Sequence, residues 1–196
     1  MFAGENSKQI FKEAYIEGGF DHSAFYLDDN TYLMNTSELF YNARISYGGT
    51  LSLRFNTKNF YNTFAEVMDL TDLSLDLDSP QGSTGVSIMG LTTRSSITKL
   101  TLTLPNGSYP NTYGASSYTS FAGNNIVDLT INVINDSASF VNCVSLSQDS
   151  VNNIINALID VTAEPKTLTF STQVQSYVTE EQKTAATAKG WTINFA

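Results

Sequence analysis

One string, L-x-x-L-x-L, recurs along this chain and limits its folds more than any other feature. The clearest copy is DLTDLSLDLDS, Asp69 to Ser79, which supplies Leu70, Leu73 and Leu75. Side chains alternate between the two faces of an extended chain. Leu73, Leu75 and Leu77 then share one face, and Asp72, Ser74, Asp76 and Asp78 share the other. ITKLTLTL repeats the string with Ile97, Leu100 and Leu102, and IVDLTINV with Ile126, Leu129 and Ile131. FKEAYIEG is a weaker copy with Phe11, Ala14 and Ile16. GTLSLRF offers Leu51 and Leu53 but has Gly48 where the first leucine belongs, and KTLTFST closes the series with Leu168 and Phe170. The better copies lie roughly 20 to 30 residues apart, a period at which each unit buries its apolar face only by stacking on the next.

A second element precedes several copies: a phenylalanine followed by small residues, at Phe2, Phe40, Phe64, Phe121 and Phe140. Stacked units need a bulky side chain at each corner to fill the space between them. Phe140, Cys143 and Leu146 make F-x-x-C-x-x-L. Together the corner and the strand string resemble the BspA-type leucine-rich repeats. The resemblance covers residues 1–146, with irregular insertions at 18–39, 79–90 and 105–117, and the corner cysteine survives only at Cys143. It implies a mainly β fold with some α: an irregular leucine-rich-repeat solenoid of parallel stacked strands, closed by a helix-containing C-terminal cap. Such repeats are non-catalytic and serve adhesion or assembly on bacterial surfaces and in phage structural and tail proteins.

The pattern changes after Leu146, so the repeats are assigned to 1–146 and a capping segment to 147–196 of one continuous domain. SQDSVNNIINALIDV places Val151, Ile154, Ile155, Leu158 and Ile159 at helical spacing. Ser147 is its expected N-cap, Asp149 complements the helix dipole, and the Ala163-Glu164-Pro165 sequence is the expected stop. KTLTFS alternates as a strand. Thr179 and Gln182 then form a capping box, Glu180 and Glu181 sit at the positive helix end, and Gly190 is the C′ stop. Trp191, Ile193 and Phe195 alternate in a last strand. TEEQKTAATAKGW is similar to the closing segment of gut phage and bacterial surface repeat proteins. At the other end, Phe2 reads as the corner of a repeat already under way, so a partner or a longer polypeptide is expected to cover it.

Parallel stacking would set the outward residues in columns. The first column is Glu13, Thr50, Asp72, Lys99, Asp128 and Thr167. The second is Tyr15, Ser52, Ser74, Thr101, Thr130 and Thr169, nearly all hydroxyl, with hydrogen bonds expected between neighbours. The third is Glu17, Arg54, Asp76, Thr103, Asn132 and Ser171. Asp72 would then meet Lys99, Asp76 would meet Arg54, and like charges would not stack. Tyr15, Arg54, Asp72, Asp76, Lys99, Thr101, Asp128 and Thr130 form the expected binding surface. Tyr109, Tyr113 and Tyr118, in GSYPNTYGASSYTSF, join it as loop tyrosines of the kind that supply contact area at low entropic cost. The simpler reading, a long insertion that packs its own tyrosines on the coil edge, is preferred for that loop over a binding role.

Composition excludes several functions. Net charge is −9, from 10 Lys and Arg against 19 Asp and Glu, which disfavours nucleic acid and anionic membranes. Charged residues are only 15% of the chain, so its polar surface rests on Ser, Thr, Asn and Gln, as suits a surface or virion protein. A single cysteine, Cys143, permits no intrachain disulfide and reads as a buried apolar residue. No basic-then-apolar leader opens the chain, and no apolar run reaches membrane-spanning length. His22 is the only histidine; with Asp21, Asp28 and Asp29 nearby it offers a catalytic or metal site, against the simpler reading of a surface loop residue. No nucleophile-elbow or phosphate-loop motif occurs. Asp72, Asp76 and Asp78 lack the spacing of a calcium loop and read as a solvated face. No cofactor and no metal are expected. The function expected is non-catalytic: a virion component (tail, fibre or baseplate) used for assembly or host attachment, whose partners are other virion proteins or a host-surface protein or glycan. The alternatives are an adhesive domain on a bacterial surface and, third, a carbohydrate-active enzyme, for which no carboxylate pair stands out.

Overall fold

In a computed structural model the chain is a mixed α/β protein with parallel strands and few helices. The structure describes residues 11–18, 36–56, 61–78, 90–104 and 125–196. The strands are β1 (Tyr15–Glu17), β2 (Arg44–Ser46), β3 (Thr50–Asn56), β4 (Asp72–Asp78), β5 (Lys99–Thr103), β6 (Asp128–Ile131), β7 (Ala138–Phe140), β8 (Lys166–Phe170) and β9 (Trp191–Phe195). Two α-helices, α1 (Gln148–Asn156) and α2 (Glu180–Ala188), and a 3-10 helix at Thr172–Tyr177 lie in the C-terminal part. The described residues form three sheets, in the orders β1-β2, β3-β4-β5-β6 and β7-β8-β9, and every ladder within them is parallel.

The four-stranded sheet has the register expected from the leucine strings. Leu51 faces Leu73, Leu100 and Leu129 in one row, and Leu53 faces Leu75, Leu102 and Ile131 in the next. All eight side chains are buried. Alternation explains this: a one-residue slip would turn each leucine to water and each aspartate into the core. Ahead of β1, β2 and β4 the chain turns through corners built on phenylalanine. Phe11, Phe40 and Phe64 stack with ring centroids 5.3 and 4.9 Å apart and planes within 18° of parallel. The corners themselves are hydrogen-bonded from one segment to the next, Phe40 N–H to Thr63 O and Phe64 N–H to Leu91 O among others. Residues two before and two after Phe40, Phe64 and the equivalent Thr92 take left-handed backbone: Glu38 and Asn42, Asn62 and Glu66, Gly90 and Arg94.

The first and last strands depart from the expected columns. β1 pairs with β2 and not with β3, so Tyr15 stands beside Arg44 and Glu17 beside Ser46. Phe11 stacks on Phe40, and this aromatic contact sets the phase: five residues on, Ile16 meets Ile45, ahead of the Gly48-Gly49 turn into β3. Thr167 and Thr169 likewise leave the columns, because β8 lies between β7 and β9. Here the stack Phe140, Phe170, Phe195 sets the phase, with centroids 5.8 and 6.4 Å apart. Ser171, placed in the third column by the sequence, is buried and caps the 3-10 helix.

In the closing segment Ser147 caps α1 and accepts the Ser150 N–H, with Asp149 in the first turn. Thr179 and Gln182 form the full capping box of α2. Gly190 has φ of 84°, and a Cβ there would lie 2.8 Å from Val161 backbone atoms, so glycine is required. Leu158 and Ile159 are not helical, and α1 ends before Ala163. The reason is a strand contact: Ile134 N–H donates to Ala157 O, and Ile159 N–H to Ile134 O. That exchange satisfies backbone groups that a longer helix would have had to use internally.

Candidate functional site

The outward face of β3 to β6 carries the densest set of expected site residues. Leucines on the opposite face pin the strands, so these side chains stand in rows at the strand spacing of roughly 4.8 Å. Thr50, Asp72, Lys99 and Asp128 form one row, Ser52, Ser74, Thr101 and Thr130 the next, and Arg54, Asp76 and Thr103 the third.

Asp72 is the hub of the first row. Its Oδ2 accepts from Thr50 Oγ1 at 2.8 Å and from Lys99 Nζ at 3.0 Å, bridging three strands. Its other oxygen, Oδ1, is buried and has no hydrogen-bond partner among the described residues. In the third row Arg54 Nε lies 3.2 Å from Asp76 Oδ2. Both ion pairs are those that the columns predict. Asp128 stands in register with Lys99, but its Oδ1 accepts from Ser147 Oγ at 3.1 Å. The fourth strand's first residue is therefore tied to the cap of α1. Asn132 ends the third row differently from expectation. It lies just past β6, where its carboxamide accepts from Leu104 N–H at 2.8 Å and donates to Leu104 O at 2.7 Å, prolonging the ladder with a side chain.

The expected hydrogen bonds along the hydroxyl row do not form. Among the described residues, the side-chain hydroxyls of Ser52, Ser74, Thr101 and Thr130 make no hydrogen bond to protein, and each residue is exposed or half-exposed. Side chains standing perpendicular to the sheet leave these short hydroxyls facing out and not toward one another.

Tyr15 lies apart, on the two-stranded sheet. It is exposed, beside Arg44, whose guanidinium is held by Asp69 at 2.8 Å, and Arg44 in turn bridges to Met68. Tyr109, Tyr113, Tyr118, His22, Asp21, Asp28 and Asp29 lie outside the described residues. Cys143 is fully buried, as the sequence requires.

Charged groups elsewhere are engaged structurally. Tyr41 hydrogen-bonds Glu66, and this contact, with desolvation and the Glu66 charge, raises the phenol's pKa. Lys12 packs over the Tyr41 ring and pairs with Glu38. Lys166 is raised by its bond to Glu164. Asp160 is held low by the Thr162 N–H and hydroxyl, and Glu181 by the Thr179 hydroxyl. Among the described residues no three His, Cys, Asp or Glu side chains are grouped to hold a metal ion, and no helix is long and apolar enough to cross a membrane. No protein-family model, curated protein or solved structure matches the chain.

Proposed function

We propose that the chain is a short, irregular leucine-rich-repeat solenoid of the BspA type and that it works by binding, without catalysis, as a component of a phage virion. The tail, a fibre or the baseplate is the setting, and assembly or host attachment is the role. One observation carries the reading: the in-register face of β3 to β6, whose polar side chains are ordered in rows by the leucine rows beneath. Order of this kind favours recognition, because the rows are already held in place before a partner arrives. The corner phenylalanines and the capping segment, in the order that the BspA-type pattern has them, support the repeat reading. The ion pairs also support a surface role over an enzymatic one. Asp72 and Asp76 are each held by a cation on one face of a sheet, whereas acid–base work on a glycosidic bond needs two carboxylates opposed across a cleft.

Gold-labelled antibody against the chain is expected to decorate intact phage particles at the tail. Label confined to the bacterial envelope would place the chain in an adhesin instead. Turnover of glycans by the purified protein would overturn both.

A further inference from the structure

The hydroxyl row of the four-stranded sheet has properties that its neighbours lack. The carboxylates of the flanking rows are engaged by protein: Asp72 Oδ2 takes Thr50 and Lys99, Asp76 takes Arg54, and Asp128 takes Ser147, with the second Asp72 oxygen buried beneath the row. Between them Ser52, Ser74, Thr101 and Thr130 present four hydroxyls with no protein partner among the described residues. We propose that this row is a binding stripe for an extended, neutral polysaccharide lying across the strands. The inference rests on the reading of the chain as a binding protein and names the ligand class.

Three physical arguments converge on that ligand. The first is period. Adjacent hydroxyls are separated by the strand spacing, roughly 4.8 Å, close to the length of one ring in an extended β-linked sugar chain. The four hydroxyls of the row can thus meet consecutive rings at equivalent positions. The second is hydrogen-bond type. A Ser or Thr hydroxyl donates and accepts, as a sugar hydroxyl does, so each contact can form in either sense. Thr101 and Thr130 are also stiff at χ1 and lose little freedom on binding. The third is charge. The rails are paired internally and the whole chain carries −9, so polyanions are repelled. A neutral ligand meets a neutral stripe without stripping ions of water. A protein partner fits less well. Among the described residues the exposed large apolar ones, Tyr15, Tyr61, Met68, Val127, Val144 and Ile159, all lie off these three rows, and protein interfaces draw their affinity from such anchors.

The test uses the full chain on an array of linear oligosaccharides. Neutral β-glucan, xylan, mannan and chitin fragments stand beside hyaluronan and polygalacturonate. Retention of at least one neutral extended glycan and of neither acidic one is expected. Thr101→Val and Thr130→Val keep the side-chain shape and remove the hydroxyls. Together they should weaken calorimetric affinity for the retained glycan by roughly tenfold or more, with the melting temperature unchanged. Absence of any neutral-glycan retention by the folded chain overturns the proposal. So does retention that the valine pair leaves intact, or a preference for acidic glycans. If glycans fail while the valine pair weakens attachment of the chain to its particle, the ligand class is wrong and the binding reading stands. If antibody finds the chain on neither particle nor envelope, the binding reading itself falls.

Discussion

At the scale of single residues, Asp72 shows how little a well-placed surface charge contributes to stability and how much it orders. It joins Thr50 and Lys99 across three strands, yet Lys99 is half exposed, and pairs of that kind are worth about 1 kcal/mol or less. Asp72→Asn should therefore cost no more than about that in urea unfolding, whereas Leu75→Ala in the row beneath should cost about 2–5 kcal/mol. Equal losses would mean that the charged row, and not the leucine row, holds the sheet. These partners were legible in the sequence, because period-two alternation and a common register place Asp72 beside Lys99 with no further information. The titrating carboxylates were not. Asp160 is held low by the Thr162 N–H and hydroxyl, a contact within a turn that long-range backbone bonds fix, Ile159 N–H to Ile134 O and Val161 N–H to Lys189 O. Its folded value lies below its unfolded one. The stability it confers is complete above the ordinary aspartate value of about 4 and fades as pH falls through the lower folded value. Asp160→Asn should flatten the fall in melting temperature on acidification through that window, relative to the parent chain, and leave the melting temperature's slope near neutral pH unchanged.

At the scale of elements, the aromatic stack sets phase more strongly than the leucine string does. Phe40 is fully buried between Phe11 and Phe64, so Phe40→Ala should cost about 3–5 kcal/mol, read as a drop in the urea midpoint. The sequence placed Phe40 and Phe64 at corners correctly. It mispaired β1 and β8, because the weak leucine strings at Ile16 and Leu168 were aligned to the strong ones while the ring contacts at Phe11 and Phe170 were the governing interaction. The paired left-handed residues of each corner carry almost no sequence signal. Only Gly90, and asparagine at Asn42 and Asn62, belong to the types that favour this conformation. Helix starts, and the glycine stop of α2, were the most legible features, whereas the end of α1 was not. Ser147, Thr179 and Gly190 occupy the positions that their chemistry demands, and Gly190→Ala should lower the melting temperature by several degrees, since it adds a strained φ to a Cβ contact 2.8 Å from the Val161 backbone.

At the scale of the whole molecule, the fold solves an edge problem with side chains. β6 ends the four-stranded sheet, and its outward N–H groups would be open to another strand. Helix α1 closes them: Leu129 N–H donates to Ser150 Oγ at 2.8 Å and Ile131 N–H to Asn153 Oδ1 at 2.7 Å. The Ser150 hydroxyl also donates to Val127 O. Ser150→Ala leaves a buried N–H without a partner and should cost about 1–3 kcal/mol, with faster hydrogen exchange at Leu129 while Leu100 in the sheet centre stays protected. Uniform acceleration across the sheet would instead mean that α1 supports the sheet as a unit. By itself the sequence determined the leucine register of β3 to β6, the two ion pairs on its outer face, the buried cysteine, the N-caps of both helices and the glycine that stops α2. Each depends on near neighbours or on strict alternation, and both are written in local spacing. The tertiary structure alone decided that the strands divide into three sheets, that α1 stops early to meet Ile134, and that the hydroxyl row is left without protein partners. Those outcomes depend on which of several competing long-range contacts (ring on ring, side chain on edge, strand on strand) wins, and that comparison exists only once the chain is folded.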